Sequence, residues 1–333
     1  MVSTPTANYR LPTSPETASR LLESSLRLWL ASWRQTFWYA LLYGIAGVLP
    51  LLTLGDLTAR VLRSTLSIAL TTFAPWLPRG PNDDAHAIAG AAMAWLTAPQ
   101  TWMLLGAAVV LAVAAITLLI HRQHRIACGD DAGLATATRL GLARVPASIG
   151  AWLGYAAILG LLTLPLVAWM AVVFWLAMGL ELSLMGLGLL CALFLLGATV
   201  LSIPLVWGSV AFGFAPFVCA IEACNPLAAQ RRSMRWVRGH WTHAAIVMSV
   251  PMLVYLGIGG TLSSFVMIVC GSLAFALGGW PALMSGGWLG WSQLVGAIPM
   301  AMALPLAFAG GVVAWHDLGL RHGADSGDPT ALG

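Results

Sequence analysis

The chain has 333 residues, of which 59% are hydrophobic and 8% charged, with a formal net charge of +4. Soluble domains carry about a quarter charged residues, so this chain lacks the polar surface to cover a soluble globule of its length, and a mean hydropathy of +0.85 places it in the membrane class. All 16 basic residues are Arg, which excludes a Walker A phosphate loop and Schiff-base chemistry, both of which need Lys.

Residues 1–19 are rich in Thr, Ser and Pro and have no early apolar stretch. They predict a disordered tail without a cleaved signal peptide. Leu22, Leu26, Trp29, Leu30 and Trp33 then recur on one helical face, with Arg20, Arg27 and Arg34 opposite and Glu23 nearby. That pattern predicts an amphipathic helix at a membrane surface. A first span fits between Arg34 and Asp56, since about 20 apolar residues cross ~30 Å of hydrocarbon. Residues 57–78 contain Arg60 and Arg63 and only a short uncharged stretch, and they predict a second interfacial helix. A short amphipathic piece and a second span starting near Thr101 lie between Asp84 and Arg122.

The third and fourth spans fit between Arg144 and Glu181 and between Glu181 and Glu222. From Arg238 to Asp317 no charge occurs, which leaves room for two spans around a Gly/Trp turn at Leu277–Trp291. The expectation is an all-α polytopic membrane protein with six spans in a transmembrane domain over 20–316 and a C-terminal tail over 317–333. Six spans put both termini on one side. Thirteen of the 16 Arg then fall on that side, and Arg60, Arg63 and Arg79 on the other. The positive-inside rule makes the Arg-rich side cytoplasmic in a bacterial inner membrane.

Three Arg-bearing segments look alike. Arg27, Arg139 and Arg235 are each followed by an apolar residue (Leu28, Leu140, Trp236), then by Arg34, Arg144 or Arg238, then by an apolar run. This predicts three parallel repeats over about 20–120, 131–213 and 226–316, each an interfacial amphipathic helix followed by a two-span hairpin. The alternative is that any helix entering a membrane from inside has Arg and Leu before it.

In the third segment Asn225 and Pro226 suit a helix start, and Arg231, Arg235 and Arg238 fall on one face beside Arg232. Such a face holds lipid phosphates or acidic partners, or is ordinary positive-inside anchoring. Glu222 pairs with one of these Arg as a clasp, or is a proton-coupling carboxylate. The stretch FVCAIEACNPLAAQRRSMRWVRGHW (Phe217–Trp241) resembles YciC-like bacterial inner-membrane proteins and the membrane domain attached to some glycerophosphodiester phosphodiesterases. The matching positions are Glu222, Pro226, Ala229, Arg232, Ser233, Val237, Arg238, Gly239 and Trp241, and SSLRLWLASW near the N-terminus is similar to the usual start of such domains. Asn225 stands where a Gly is common. The resemblance implies the membrane fold; the hydrolase activity does not carry over, because only the membrane part is expected here.

The remaining motifs are weaker. His121/His124 and His240/His243 have a spacing that suits a metal, but they sit beside Arg with no acidic cluster, and no metal or cofactor is expected. Cys128, Cys191, Cys219, Cys224 and Cys270 form no C-x-x-C pair and read as free thiols. Pro165, Pro204, Pro251, Pro299 and Pro305 read as kinks. H-E-x-x-H, G-x-S-x-G and paired intramembrane carboxylates are missing. The expected function is non-enzymatic: organisation of the envelope, lipids or membrane-protein assembly. Its partners are anionic lipid headgroups, a membrane protein or a second copy, and not nucleic acid. Arg27, Arg139, Arg231, Arg232, Arg235 and Arg238 are the expected headgroup or partner contacts. The alternative is a transporter or permease subunit with a site at the Pro-broken helices, and an intramembrane enzyme ranks last.

Overall fold

A computed structural model describes residues 9–73, 85–130, 133–179, 184–222, 224–284 and 287–326; side chains over 51–89 and at several positions near 180 and 285 are outside that description. Among the described residues every regular element is a helix: α1 (Ala18–Phe73), α2 (Ala85–Thr97), α3 (Pro99–Ala127), α4 (Leu134–Leu142), α5 (Val145–Gly179), α6 (Leu184–Gly213), α7 (Ala215–Glu222), α8 (Pro226–Val237), α9 (Trp241–Met284) and α10 (Gly287–Ser326). Hydrocarbon offers no hydrogen bonds, so a spanning backbone must satisfy its own polar groups, and helices do so. Among the described residues five stretches are long and apolar enough to cross a membrane: Pro99–Ala127, Val145–Ala177, Gly188–Glu222, Trp241–Gly279 and Leu294–Gly323. The first span expected from sequence, between Arg34 and Asp56, falls on α1 and runs into the region of undescribed side chains.

Local signals set the helix ends. Pro99 opens α3, where its missing N–H costs nothing. At the other end Gly129, at φ 75°, lets the amides of Gly129 and Asp130 bond back to the carbonyls of Ile126 and Arg125. This closes α3 with a left-handed glycine cap. Gly239, at φ 90°, makes the corresponding turn between α8 and α9.

The helices are not equally buried. α10 packs against α9 and α1, and α1 also packs against α3. In the α10 span 72% of the most apolar 18 residues are buried, against 6% for α5 and 0% for the α6–α7 span. α5 and α6 pair with each other and dock through α7 and α8, leaving Leu161, Phe174, Trp175 and Leu196 facing outward. A helix apolar on all sides and bare of protein neighbours suits lipid as its solvent.

Lipid tails are as apolar as Leu, so close packing and hydrogen bonds must hold such helices together. Gly310 lies against Pro251, where an added Cβ would stand 2.6 Å from the proline ring and 3.1 Å from the Val247 carbonyl. Buried Gln123 on α3 donates to the Pro305 carbonyl at 2.6 Å, and Trp29 on α1 donates to the Met302 carbonyl at 3.2 Å. Both bonds reach the stretch of α10 that Pro305 interrupts.

Several sequence expectations need correction. The N-terminal tail is not disordered from residue 9 onward. Tyr9 and Leu11 pack on the core, the Leu11 amide donates to the Ala127 carbonyl, and His316 Nε2 bonds the Pro12 carbonyl at 2.9 Å. Residues 9–17 form a strap. The first interfacial helix is not separate either: α1 runs unbroken from Ala18 through the expected span to Phe73, because only Pro50 interrupts its pattern. Its buried face is Leu21, Ser25, Leu28, Ser32 and Thr36, whereas Leu26 and Leu30 of the apolar stripe are exposed. The Ser and Thr hydroxyls bond carbonyls one turn back, Ser25 to Leu21 and Thr36 to Ser32, and so enter a packed seam without a desolvation penalty. The C-terminal tail does not begin at 317, since α10 continues to Ser326.

That continuation is fixed by Asp317, whose side chain is 1% exposed. Its carboxylate accepts from Arg321 Nε at 2.6 Å, from His243 Nε2 at 2.9 Å and from the Glu16 amide at 2.8 Å. Arg321 also donates to the Glu16 carbonyl. One acid therefore ties α10, α9 and the strap together.

Two outcomes follow for stability. Gly310→Ala is expected to destabilise the fold by about 1–3 kcal/mol through overpacking against Pro251, read as a lower thermal midpoint in detergent. Asp317→Ala is expected to cost about 3 kcal/mol and to speed tryptic cleavage after Arg10, because the strap loses its anchor. An unchanged cleavage rate would count against that junction.

Candidate functional site

The Arg-rich ends of the helices gather at one end of the bundle, around α7 and α8. Asn225 caps α8: its side-chain oxygen accepts from the Leu227 amide at 3.0 Å, and Pro226 takes the first helical position. One face of α8 is buried through Ala229, Gln230, Ser233, Trp236 and Val237. Two of these bind neighbouring backbone: Gln230 Nε2 donates to the Ala151 carbonyl at 2.9 Å and Ser233 Oγ to the Ala211 carbonyl at 2.7 Å. α8 is thus bolted onto α5 and α6. The opposite face, at a spacing of four and three, presents Arg231, Arg235 and Arg238, all exposed. None of the three has an ion-pair partner among the described residues.

Arg232 has a different role. It pairs with Glu222 at the end of α7 and lies 4.4 Å over the Trp236 ring. Both partners of the pair are partly shielded, at 31% and 21% exposure. Arg144, between α4 and α5, reaches the same spot and donates to the carbonyls of Ala220 and Ile221 at the C-terminus of α7. Cations are favoured where a helix ends in free carbonyls. Burial pulls the Arg144 guanidinium below its ordinary value; Arg125 adds to the effect and Glu222 opposes it. The clasp therefore holds α7 and α8 against α4 and α5.

The other expected contacts lie elsewhere. Arg27 is exposed on α1 and bridges to Glu23 at 2.5 Å, and Arg139 is exposed on α4. α4 packs on α3 and is tied to α1 by Tyr39 and Thr138, whose hydroxyls are 2.6 Å apart. The Arg positions expected to be equivalent, Arg27, Arg139 and Arg235, lie on three different helices, α1, α4 and α8.

The histidine pairs do not assemble a metal site. His121 is buried with both ring nitrogens unpartnered, His124 sits edge-on to Trp315, and His243 is committed to Asp317. Among the described residues no group of three or more His, Cys, Asp or Glu comes together for a metal.

Three features escape sequence reasoning. Asp317 reads as the boundary of a charge-free run, although Arg321 four residues later is a signal for a helical ion pair. Arg144 reads only as the second basic residue of its segment, and nothing local predicts that it reaches α7. Cys219 and Cys224 lie with sulfurs 3.9 Å apart without any motif. No family model, no curated protein and no solved structure matches this chain.

The clasp can be tested directly. Removing either partner strands a shielded charge, so Glu222→Ala and Arg232→Ala are each expected to cost about 1–3 kcal/mol. The double variant should cost clearly less than the sum, as read in a thermal-unfolding cycle.

Proposed function

We propose that this protein is a non-enzymatic multi-pass protein of the bacterial inner membrane that holds anionic lipid headgroups at its cytoplasmic face. The observation that carries the reading is the split character of α8. Its inner face is pinned by Gln230, Ser233 and the Arg232–Glu222 clasp, and its outer face displays three exposed guanidiniums at fixed spacing, without an ion-pair partner among the described residues. A rigid row of guanidiniums at headgroup depth suits phosphate, which accepts paired N–H donors.

In this reading both termini are cytoplasmic, α1 supplies a sixth span, and the chain is three parallel units. The resemblance of Phe217–Trp241 to YciC-like proteins supports the same placement. So does the element order: α4–α5–α6 and α8–α9–α10 each run from a short amphipathic helix into two long apolar ones. Lipid organisation ranks above transport because of the cleft among α1, α3, α9 and α10. It measures about 500 Å³ and is walled mainly by Ala, Gly, Val and Met, with Tyr43, Tyr255 and Ser263 as its hydroxyl groups. Such walls suit an acyl chain better than a polar solute.

The test replaces Arg231, Arg235 and Arg238 together with Gln. Each basic residue near an anionic surface contributes about 1 kcal/mol, so retention of phosphatidylglycerol in native mass spectrometry should fall by about 100-fold. Unchanged retention would sink the reading.

A further inference from the structure

The strap over residues 9–17 does more than cover the bundle end. Between it and α1 lies a cavity of about 620 Å³, lined by Tyr9, Arg10, Pro12, Glu16, Ser24, Arg27, Leu30 and Ala31. Its α1 wall is one helical face: Ser24, Arg27 and Ala31 are spaced three and four apart, with Leu30 beside them. Ser24 to Ala31 spans about 10 Å along the axis, so the wall passes from polar to apolar in the direction of the bilayer. Leu30 at that deeper end is 58% exposed.

The charges in this cavity balance, unlike those on α8. Arg10 and Arg27 bring two guanidiniums, Glu16 brings a carboxylate, and Glu23 partly engages Arg27. The Arg27–Glu23 pair is exposed at both ends, so it holds Arg27 weakly and leaves its other N–H groups free. Neither Arg10 nor the Glu16 carboxylate has a partner among the described residues, because Glu16 binds Asp317 and Arg321 only through its backbone. The Tyr9 hydroxyl oxygen is buried, lies beside Ser24 and has no hydrogen bond of good geometry. Burial pushes its pKa up to about 12, so it remains a donor.

We propose that this cavity binds a zwitterionic phospholipid with a primary ammonium, a phosphoethanolamine headgroup. The phosphate lies between Arg10 and Arg27 and accepts from Ser24, the ammonium donates to Glu16, and the acyl chains leave over Leu30 and Ala31. A phosphate alone would leave Glu16 facing an anion; an ammonium on the same headgroup pairs it. This deepens the lipid-binding reading and rests on it, but it uses a different set of residues.

The experiment uses the full chain in mixed micelles holding equal amounts of phosphatidylethanolamine, phosphatidylcholine and phosphatidylglycerol with the same acyl chains, read by native mass spectrometry. Phosphatidylcholine has no N–H to give Glu16. The wild type is expected to retain phosphatidylethanolamine over phosphatidylcholine by about tenfold, the scale of one charge-assisted hydrogen bond. Glu16→Gln should abolish that preference while leaving the strap in place, since the strap is held by the Glu16 backbone. Arg10→Ala with Arg27→Ala should lower phosphatidylethanolamine retention by about tenfold or more. Excess soluble phosphoethanolamine should not displace the lipid; displacement would move the ligand from a lipid to a free headgroup and overturn the proposal. Equal retention of the two zwitterionic lipids by the wild type, which needs no variant to fold, also overturns it. The Arg231/Arg235/Arg238 variant separates the two sites. If it loses phosphatidylglycerol but keeps the phosphatidylethanolamine preference, the cavity stands. If it loses that preference, the lipid belongs to α8 and the cavity proposal fails.

Discussion

A carboxylate with almost no exposure, in a chain with few charges, organises one end of this bundle. Asp317 accepts from Arg321, His243 and the Glu16 amide, and so joins α10, α9 and the strap at a single point. Burying an ionised acid is costly unless partners surround it, and three donors from three segments meet that condition only when all are in place. The strap can then lie down, and the cavity beneath it exists only because it does. Arg10 and Glu16 face Arg27 for the same reason.

The rest of the architecture follows from lipid as the solvent. Burial of apolar surface cannot drive these helices together, because hydrocarbon surrounds the separated helices as well. Contact therefore concentrates where backbones come close, as at Gly310 on Pro251, and where polar side chains find carbonyls, as with Gln123 on Pro305. Tyr155 and Trp169 on α5 donate to the Ser209 and Phe194 carbonyls of α6, so these two helices hold each other, while most of their apolar side chains stay exposed at the periphery. The hairpin is attached mainly at the Arg-rich end, where Gln230, Ser233 and Arg144 reach across.

At that end guanidiniums serve two purposes. Arg144 and Arg232 point inward, one to the free carbonyls of α7 and one to Glu222, and they fix the position of α8. Arg231, Arg235 and Arg238 point outward from the frame so fixed. Pre-positioned donors lose less freedom on meeting a phosphate than mobile ones, which is the physical basis for the proposed headgroup surface on α8.

The sequence by itself determined the class and much of the helix layout. Low charge and long apolar runs leave no other solvent than lipid, and Asn225 with Pro226 marks the start of α8 through local backbone chemistry. The outward spacing of Arg231, Arg235 and Arg238 was also legible, because it follows from 3.6 residues per turn. Only the tertiary structure decided which face of α1 is buried, since Ser25, Ser32 and Thr36 read as polar until their hydroxyls are seen bonded to the preceding turn. It alone placed Asp317 and Arg144, whose partners are distant in sequence. It also turned an apparent tail into a strap. The physical reason is common to all of these: hydrophobic pattern and turn chemistry act over a few residues, whereas the partner of a buried polar group is fixed by which helices meet.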